Sequence, residues 1–223
     1  MAWTWFVLSG ASAVVDWTAT WFSNRKVMYI AKPATVIFLI IATFTNTRWQ
    51  GEMLFYGIGL VFCLLGDILL MMRARFFILG LASFLVGQTW YMAALNQTPL
   101  PSNPLAYAGG LLLVLAAILP VGFIYKKIRS RNGPRHLSIA VIFYGLIEAL
   151  FLVSASLTLY KDTWLPAHAR LMTLGAALFV VSDIVLGIDR FDRPIAHGRT
   201  VVHVTYHLGQ MIIAAAAIQH SLA

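Results

Sequence analysis

Charge is scarce in this chain. Lys, Arg, Asp and Glu make up 11% of its 223 residues, against roughly 25% in an ordinary soluble domain. With 60% of the residues hydrophobic and a mean hydropathy of +0.81, a water-soluble fold of this size could not cover its apolar surface. Cysteine is almost absent: the single Cys63 has no partner, which excludes an intrachain disulfide and any paired-cysteine metal site. The chain also lacks a Gly-rich phosphate loop and a Gly-x-Ser-x-Gly elbow, so the common soluble nucleotide-hydrolysing and serine-hydrolase chemistries find no footing.

What remains is mostly long apolar runs. A membrane-spanning helix needs about 20 mostly apolar residues, and such runs occur at roughly 3–22, 27–44, 53–72, 76–95, 105–125, 137–159, 169–188 and 201–219. The expected fold is all-α: a polytopic membrane protein, a bundle of about eight transmembrane helices. Short connectors such as 23–26 and 72–75 make neighbouring helices antiparallel hairpins, so residues 1–223 read as a single integral membrane domain. The first run has no preceding Lys or Arg and no obvious cleavage site, so it is expected to stay as a span. Pro33 and Pro120 read as punctuation near a helix start and a helix end.

The +8 net charge is unevenly placed. Arg25, Lys26, Arg73, Arg75, Lys126, Lys127, Arg129, Arg131, Arg135, Arg190, Arg193 and Arg199 fall in odd-numbered connectors, and only Arg48, Lys161 and Arg170 in even ones. Basic residues accumulate on the cytoplasmic side, so the odd connectors are expected there, with both termini opposite, in a cell (inner) membrane. The 126–135 stretch is a topology anchor suited to anionic lipid headgroups, and no nucleic-acid partner is expected.

Four of the eight acidic residues, Asp16, Asp67, Glu148 and Asp183, lie within spans together with Lys32. A mid-membrane Asp or Lys costs roughly 2.5–3.5 kcal/mol on insertion scales, so such groups face the bundle interior and usually serve a function. Counting at about 1.5 Å per residue from the basic connectors puts Asp67, Asp183, His203, Tyr206 and His207 about 6–12 Å inside the cytoplasmic boundary. Asp16 and Lys32 fall at equal depth on adjacent helices and make a plausible ion pair, functional or simply interhelical glue. Glu148 falls nearer the midplane.

The chain also echoes itself. Gly66-Asp67-Ile68-Leu69-Leu70 matches Ser182-Asp183-Ile184-Val185-Leu186, and Phe84-Leu85-Val86-Gly87-Gln88 matches Tyr206-His207-Leu208-Gly209-Gln210. The copies are four helices apart, which suggests a four-plus-four parallel repeat, with Gly66, Ser182, Gly87 and Gly209 allowing close helix approach. Spans one and two show no match to spans five and six. Under this repeat Asp67 and Asp183 face each other across the axis. Two carboxylates that close cannot both ionise readily, so one keeps a proton.

The same residues resemble the lysoplasmalogenase family of YhhN-like membrane proteins. Lys32-Pro33-Ala34-Thr35 is similar to its Lys-Pro-x-Thr signature, and Gly66-Asp67 with Leu70 to its Gly-Asp motif. Gly175, Phe179, Ser182 and Asp183 with Arg190-Phe191 resemble its late Ser-Asp segment, and Tyr206 with Gln210 its last-span motif. The resemblance runs from about residue 27 to 215. It implies hydrolysis of the vinyl ether bond of lysoplasmalogens to a fatty aldehyde and glycerophosphocholine or glycerophosphoethanolamine, with Asp67 and Asp183 as the essential aspartates and no cofactor. A lysophospholipid is then the expected substrate. Vinyl ether hydrolysis begins by protonating the β-carbon to an oxocarbenium ion that water captures, so it needs a proton donor and a nearby anion, as glycoside hydrolysis does. On this reading Tyr206, His207 or Gln210 orients the water, Lys32 or Arg190 holds the phosphate, and Gln88 and Asp16 lend support. Two other readings use the same residues: a metal-dependent lipid hydrolase with His203 and His207 as ligands, four apart on one helix face, and a small proton-coupled transporter.

Overall fold

A computed structural model describes residues 3–223. It contains eight α-helices, α1 (Trp3–Trp21), α2 (Arg25–Thr47), α3 (Met53–Met71), α4 (Phe77–Leu95), α5 (Pro104–Ser130), α6 (Arg135–Leu157), α7 (Pro166–Phe191) and α8 (Gly198–Ser221), with 3-10 turns before α4 and after α6. There is no strand among the described residues. Seven helices, α2 to α8, are long and apolar enough to cross a membrane, which makes the chain an integral multi-pass membrane protein. The remaining one, α1, has 19 residues but carries Asp16 and several hydroxyl side chains among its apolar ones.

The boundaries follow local chemistry. The Asn24 side chain accepts the backbone N–H of Val27 at the start of α2, and Asn103 accepts that of Leu105 at the start of α5, where Pro104 takes the first helical position; both satisfy amides that a helix start leaves unpaired. The prolines depart from expectation. Helix α2 begins eight residues before Pro33, and α5 continues ten residues beyond Pro120, so both prolines lie inside helices. Bundled membrane helices tolerate this because neighbouring groups and local adjustment re-satisfy the freed backbone.

The sequential hairpins α1–α2, α3–α4, α5–α6 and α7–α8 share the largest contacts; α8 also meets α1, α2 and α3, while α4 packs on α6. Helix α5 touches α6 and α7 and leaves most of its surface exposed, as a lipid-facing helix would. Lipid tails are as apolar as Leu, so these interfaces depend on close van der Waals fit rather than on hydrophobic exclusion. In α3–α4, a Cβ on Gly59 would lie 2.9 Å from the Gly87 carbonyl oxygen, and one on Gly87 would lie 2.9 Å from that of Gly59. In α7–α8, Gly175 and Gly209 stand in the same reciprocal relation, at 3.0 and 2.9 Å. The two hairpins therefore cross through equivalent glycine pairs, at positions the internal echo aligns.

The structure extends that echo to a pair the sequence did not reveal. Lys32 on α2 interacts with Asp67 on α3, and Glu148 on α6 interacts with Asp183 on α7, each pair separated by thirty-five residues. The correspondence stops at α1 and α5: α1 packs on α2 and α8, whereas α5 packs on α6 and α7. At the bundle centre, Phe84, Phe151, Phe179 and Tyr206 form edge-to-face contacts with centroids 5.4–6.2 Å apart, each worth about 0.5–1.5 kcal/mol beyond burial.

Candidate active site

The intramembrane polar groups form three clusters around this aromatic centre. In the first, Lys32 Nζ lies 3.0 Å from Asp67 Oδ1, and the Tyr206 hydroxyl donates to Asp67 Oδ2 at 2.8 Å. Asp67 is fully buried and Lys32 is 5% exposed. Lys32 also lies 5.6 Å from the centroid of the Tyr206 ring.

In the second cluster the Tyr144 hydroxyl donates to Asp183 Oδ2 at 2.6 Å, and the carboxyls of Asp183 and Glu148 interact directly. Gln88 donates its amide to Glu148. The third cluster joins α1 to α8: Asp16 Oδ2 lies 2.7 Å from His203 Nδ1, and Trp17 donates its indole N–H to His207 Nδ1 at 3.2 Å. Cys63, fully buried, lies within electrostatic range of both Asp67 and Asp183 and near Tyr91 and Gln210. Tyr91 in turn donates to Gln210 Oε1 at 2.7 Å.

Several expectations change here. Asp16 does not pair with Lys32; its neighbours are His203 at 2.7 Å and His207 at 3.7 Å, while Lys32 turns to Asp67. The rotation of α2 presents Lys32 toward Asp67 on α3. Asp67 and Asp183 are not hydrogen-bonded to one another, and each has its own partners. The carboxyl that faces Asp183 belongs to Glu148. Tyr144 carried a signal that went unread: it lies four residues before Glu148, on the same helix face.

His203 and His207 spend their Nδ1 atoms on Asp16 and Trp17. Among the described residues no three His, Cys, Asp or Glu side chains gather in a metal-holding geometry. Arg190 lies at the rim, its guanidinium 4.7 Å from the centroid of the Phe77 ring.

Three cavities adjoin these groups. A vestibule of about 340 Å³ between α2, α3, α7 and α8 is lined by Arg25, Lys32, Arg190, Arg199, His203 and Asp189 among others. Asp189, whose Oδ1 accepts the backbone N–H of Ile195, is the one carboxylate in this lining against Arg25, Lys32, Arg190 and Arg199, so the walls are net positive. Phe77 and Leu186 belong both to this vestibule and to a narrow passage of about 50 Å³. The passage shares Ile124, Val141, Tyr144 and Asp183 with an apolar crevice of about 210 Å³ between α5, α6 and α7. Asp183 stands at that junction, and Lys32 at the vestibule floor with Asp67 sealed behind it.

Outside the spans, burial beside α3 pushes the Glu52 carboxyl above the usual carboxylate range, partly offset by the Lys161 charge. Burial likewise holds Lys161 below the usual ammonium range, partly offset by Glu52. At the opposite end, the Lys127 ammonium 2.7 Å from Asp192 holds that carboxyl below its ordinary value. Arg131 donates to the backbone carbonyl of Asp192, so both contacts tie α5 to the end of α7.

Comparison with known proteins points the same way as the motifs. Lysoplasmalogenase TMEM86A of Bos taurus is 28% identical over 164 residues, 73% of this chain and 64% of that protein. Lysoplasmalogenase TMEM86B of Sus scrofa is 31% identical over 143 residues, 64% of this chain and 54% of that protein. Lysoplasmalogenase TMEM86B of Homo sapiens is 29% identical over 161 residues, 72% of this chain and 62% of that protein. The chain thus spans somewhat less than two thirds of the length of these relatives. No solved structure matches it. The YhhN family model matches residues 27–217, from near the start of α2 almost to the end of α8; it takes in the first two polar clusters and the α8 half of the third, Asp16 and Trp17 lying before it, and the chain belongs to the YhhN family.

Proposed function

We propose that this chain is a membrane hydrolase that cleaves the vinyl ether bond of lysoplasmalogens, releasing a fatty aldehyde and the glycerophospho-base. The observation that carries this reading is the order of the cavities. A basic vestibule, a narrow passage that holds Asp183 and a largely apolar crevice adjoin in sequence through shared lining residues, and a lysoplasmalogen presents phosphate, vinyl ether and hydrocarbon chain in that order. Arg25, Arg190, Arg199 and Lys32 suit the phosphate, and the α5–α6–α7 crevice suits the chain. The vestibule is lined from the ends that carry the basic odd connectors, so it opens to the cytoplasmic leaflet with both termini opposite.

The partners of each carboxyl distribute the roles. Asp183 and Glu148, set against one another away from water, share a proton because two charges there cannot both be sustained. This pair is the donor to the β-carbon of the alkenyl chain. Asp67, held by the Lys32 ammonium and the Tyr206 hydroxyl, is the anion that offsets the oxocarbenium charge. Phosphate bound in the vestibule competes for Lys32 and leaves Asp67 freer to do so.

Water then forms a bond to the cationic carbon and gives up a proton, leaving a hemiacetal. The hemiacetal hydroxyl loses its proton, the carbon–oxygen bond to glycerol breaks, and the departing oxygen is protonated. One water is consumed and no net proton is gained or lost. Positioned acid–base groups contribute about 10²–10⁴-fold each. Asp67→Asn and Asp183→Asn, assayed separately for aldehyde release from purified protein, should each lose at least about 10²-fold in kcat. A near-normal rate in either variant would remove that residue from the mechanism.

A further inference from the structure

We propose that His203, aligned by Asp16, is the base that takes the proton from the attacking water; the inference rests on the lysoplasmalogen reading and adds the group that the carboxyl clusters do not supply. Asp16 is fully buried, with Oδ2 2.7 Å from His203 Nδ1, and Thr20 Oγ1 lies 3.2 Å from the same nitrogen. A carboxylate at this distance fixes the tautomer with the proton on Nδ1 and the lone pair on Nε2, the arrangement in which an Asp turns an imidazole into a base.

Position separates His203 from its neighbour. His203 lines the vestibule beside Lys32 and Arg199. His207, one turn deeper, is fully buried and outside the vestibule lining, and its Nδ1 accepts the Trp17 indole N–H at 3.2 Å, which places its proton on Nε2. One histidine therefore offers a lone pair to the cavity, and the other is confined to the wall. Three residues beyond His203, Tyr206 holds Asp67, so the base and the anion lie on one face of α8.

In the capture step the water oxygen bonds to the oxocarbenium carbon and its proton passes to Nε2. The imidazolium formed is held by Asp16 and returns that proton to the glycerol oxygen as the hemiacetal breaks down, while the proton of the hemiacetal hydroxyl goes to the Asp183–Glu148 pair and restores the donor. Asp16 touches no reacting atom and is a positioning residue.

The charged and titratable groups around the ring are Asp16 from α1, Arg25, Tyr29 and Lys32 from α2, Asp189 and Arg190 from α7, and Arg199 and His207 from α8. None of them is altered in His203→Gln. The test compares wild-type protein, His203→Gln, Asp16→Asn and Asp183→Asn in lipid nanodiscs, measuring aldehyde release from an alkenyl-lysophosphoethanolamine across pH. His203→Gln should lower kcat about 10²-fold, leave KM within about twofold, and abolish the rise of kcat with pH that deprotonation of the base produces. Asp16→Asn keeps the imidazole but inverts its tautomer, and should lower kcat by at least as much, again with little change in KM. A group that merely joined α1 to α8 would alter folding without removing the pH limb.

If His203→Gln keeps the wild-type rate and pH limb while Asp183→Asn is inactive, the dyad is wrong and the hydrolase reading survives. If wild-type protein releases no aldehyde, both fail. Should His203→Gln not fold, Asp16→Asn decides: a wild-type pH profile in that variant overturns the proposal.

Discussion

Replacing Lys32 by Met would remove one half of an ion pair whose other half has no access to water. The ammonium and carboxylate are 3.0 Å apart, with side chains 7% and 0% exposed. Deleting one partner of a buried pair leaves an uncompensated charge and costs about 3–5 kcal/mol. The two single deletions should differ. Lys32 lines the vestibule, so in Asp67→Asn the ammonium can turn toward water. Asp67 is fully buried and outside the vestibule lining, and would keep only the Tyr206 hydroxyl, a bond to a charged group worth about 1.5–3 kcal/mol. Lys32→Met should therefore fall near the upper end of the range and Asp67→Asn near the lower. The double variant, with neither charge, should recover much of the loss. Unfolding of the four proteins in one detergent reads the stabilities, and aldehyde release reads the chemistry. The double variant should be inactive although more stable than Lys32→Met. If Lys32→Met were as stable as wild type, or the double variant less stable than both singles, the argument from pairing would be refuted.

Gly209→Ala should cost about 1–3 kcal/mol, because the new Cβ would meet the Gly175 carbonyl oxygen at 2.9 Å and the Phe179 nitrogen at 3.0 Å, both backbone atoms. Gly109→Ala on α5 meets nothing within 4 Å and should gain about 0.5–1 kcal/mol; unfolding assays check both. Ala117→Phe narrows the crevice and should lower kcat/KM for long alkenyl chains relative to short ones by at least about tenfold, read with a chain-length series. Glu52 binds its proton more tightly folded than unfolded, so its contribution to stability is present below about pH 4.5 and declines as pH rises through its higher folded value. Glu52→Gln removes that decline, so its stability relative to wild type should increase above about pH 5, and melting curves from pH 4 to 7 should show the two proteins diverging.

The helices were legible because hydropathy reports what a segment buries: the runs at 53–72 and 201–219 match α3 and α8 to within a few residues. The ends beyond the hydrocarbon were less so. Helix α5 continues through its basic tail to Ser130 and α7 runs to Phe191, lengths that hydropathy alone does not register. Within the site, counting along helices gave height but not rotation. It placed Asp16, Lys32, Asp67 and His203 at one level, and all four pair among themselves, Lys32 with Asp67 and Asp16 with His203, but which pairs form depends on which face α2 presents to α3. That face is set by packing against several neighbours at once. The partnership of Asp183 with Glu148 had a faint trace in the equal thirty-five-residue spacing from Lys32 to Asp67, hidden because a cation in one half corresponds to an acid in the other.

The proposed hydrolysis depends on proton transfer to the β-carbon of an alkenyl lysolipid. Hydrolysis in heavy water, with the aldehyde trapped as it forms and weighed by mass spectrometry, tests this most directly. One deuterium bonded to the carbon next to the carbonyl in each product molecule, lost together with product formation in Asp183→Asn, is the predicted result. No aldehyde from wild-type protein, or aldehyde with only hydrogen at that carbon, would contradict it.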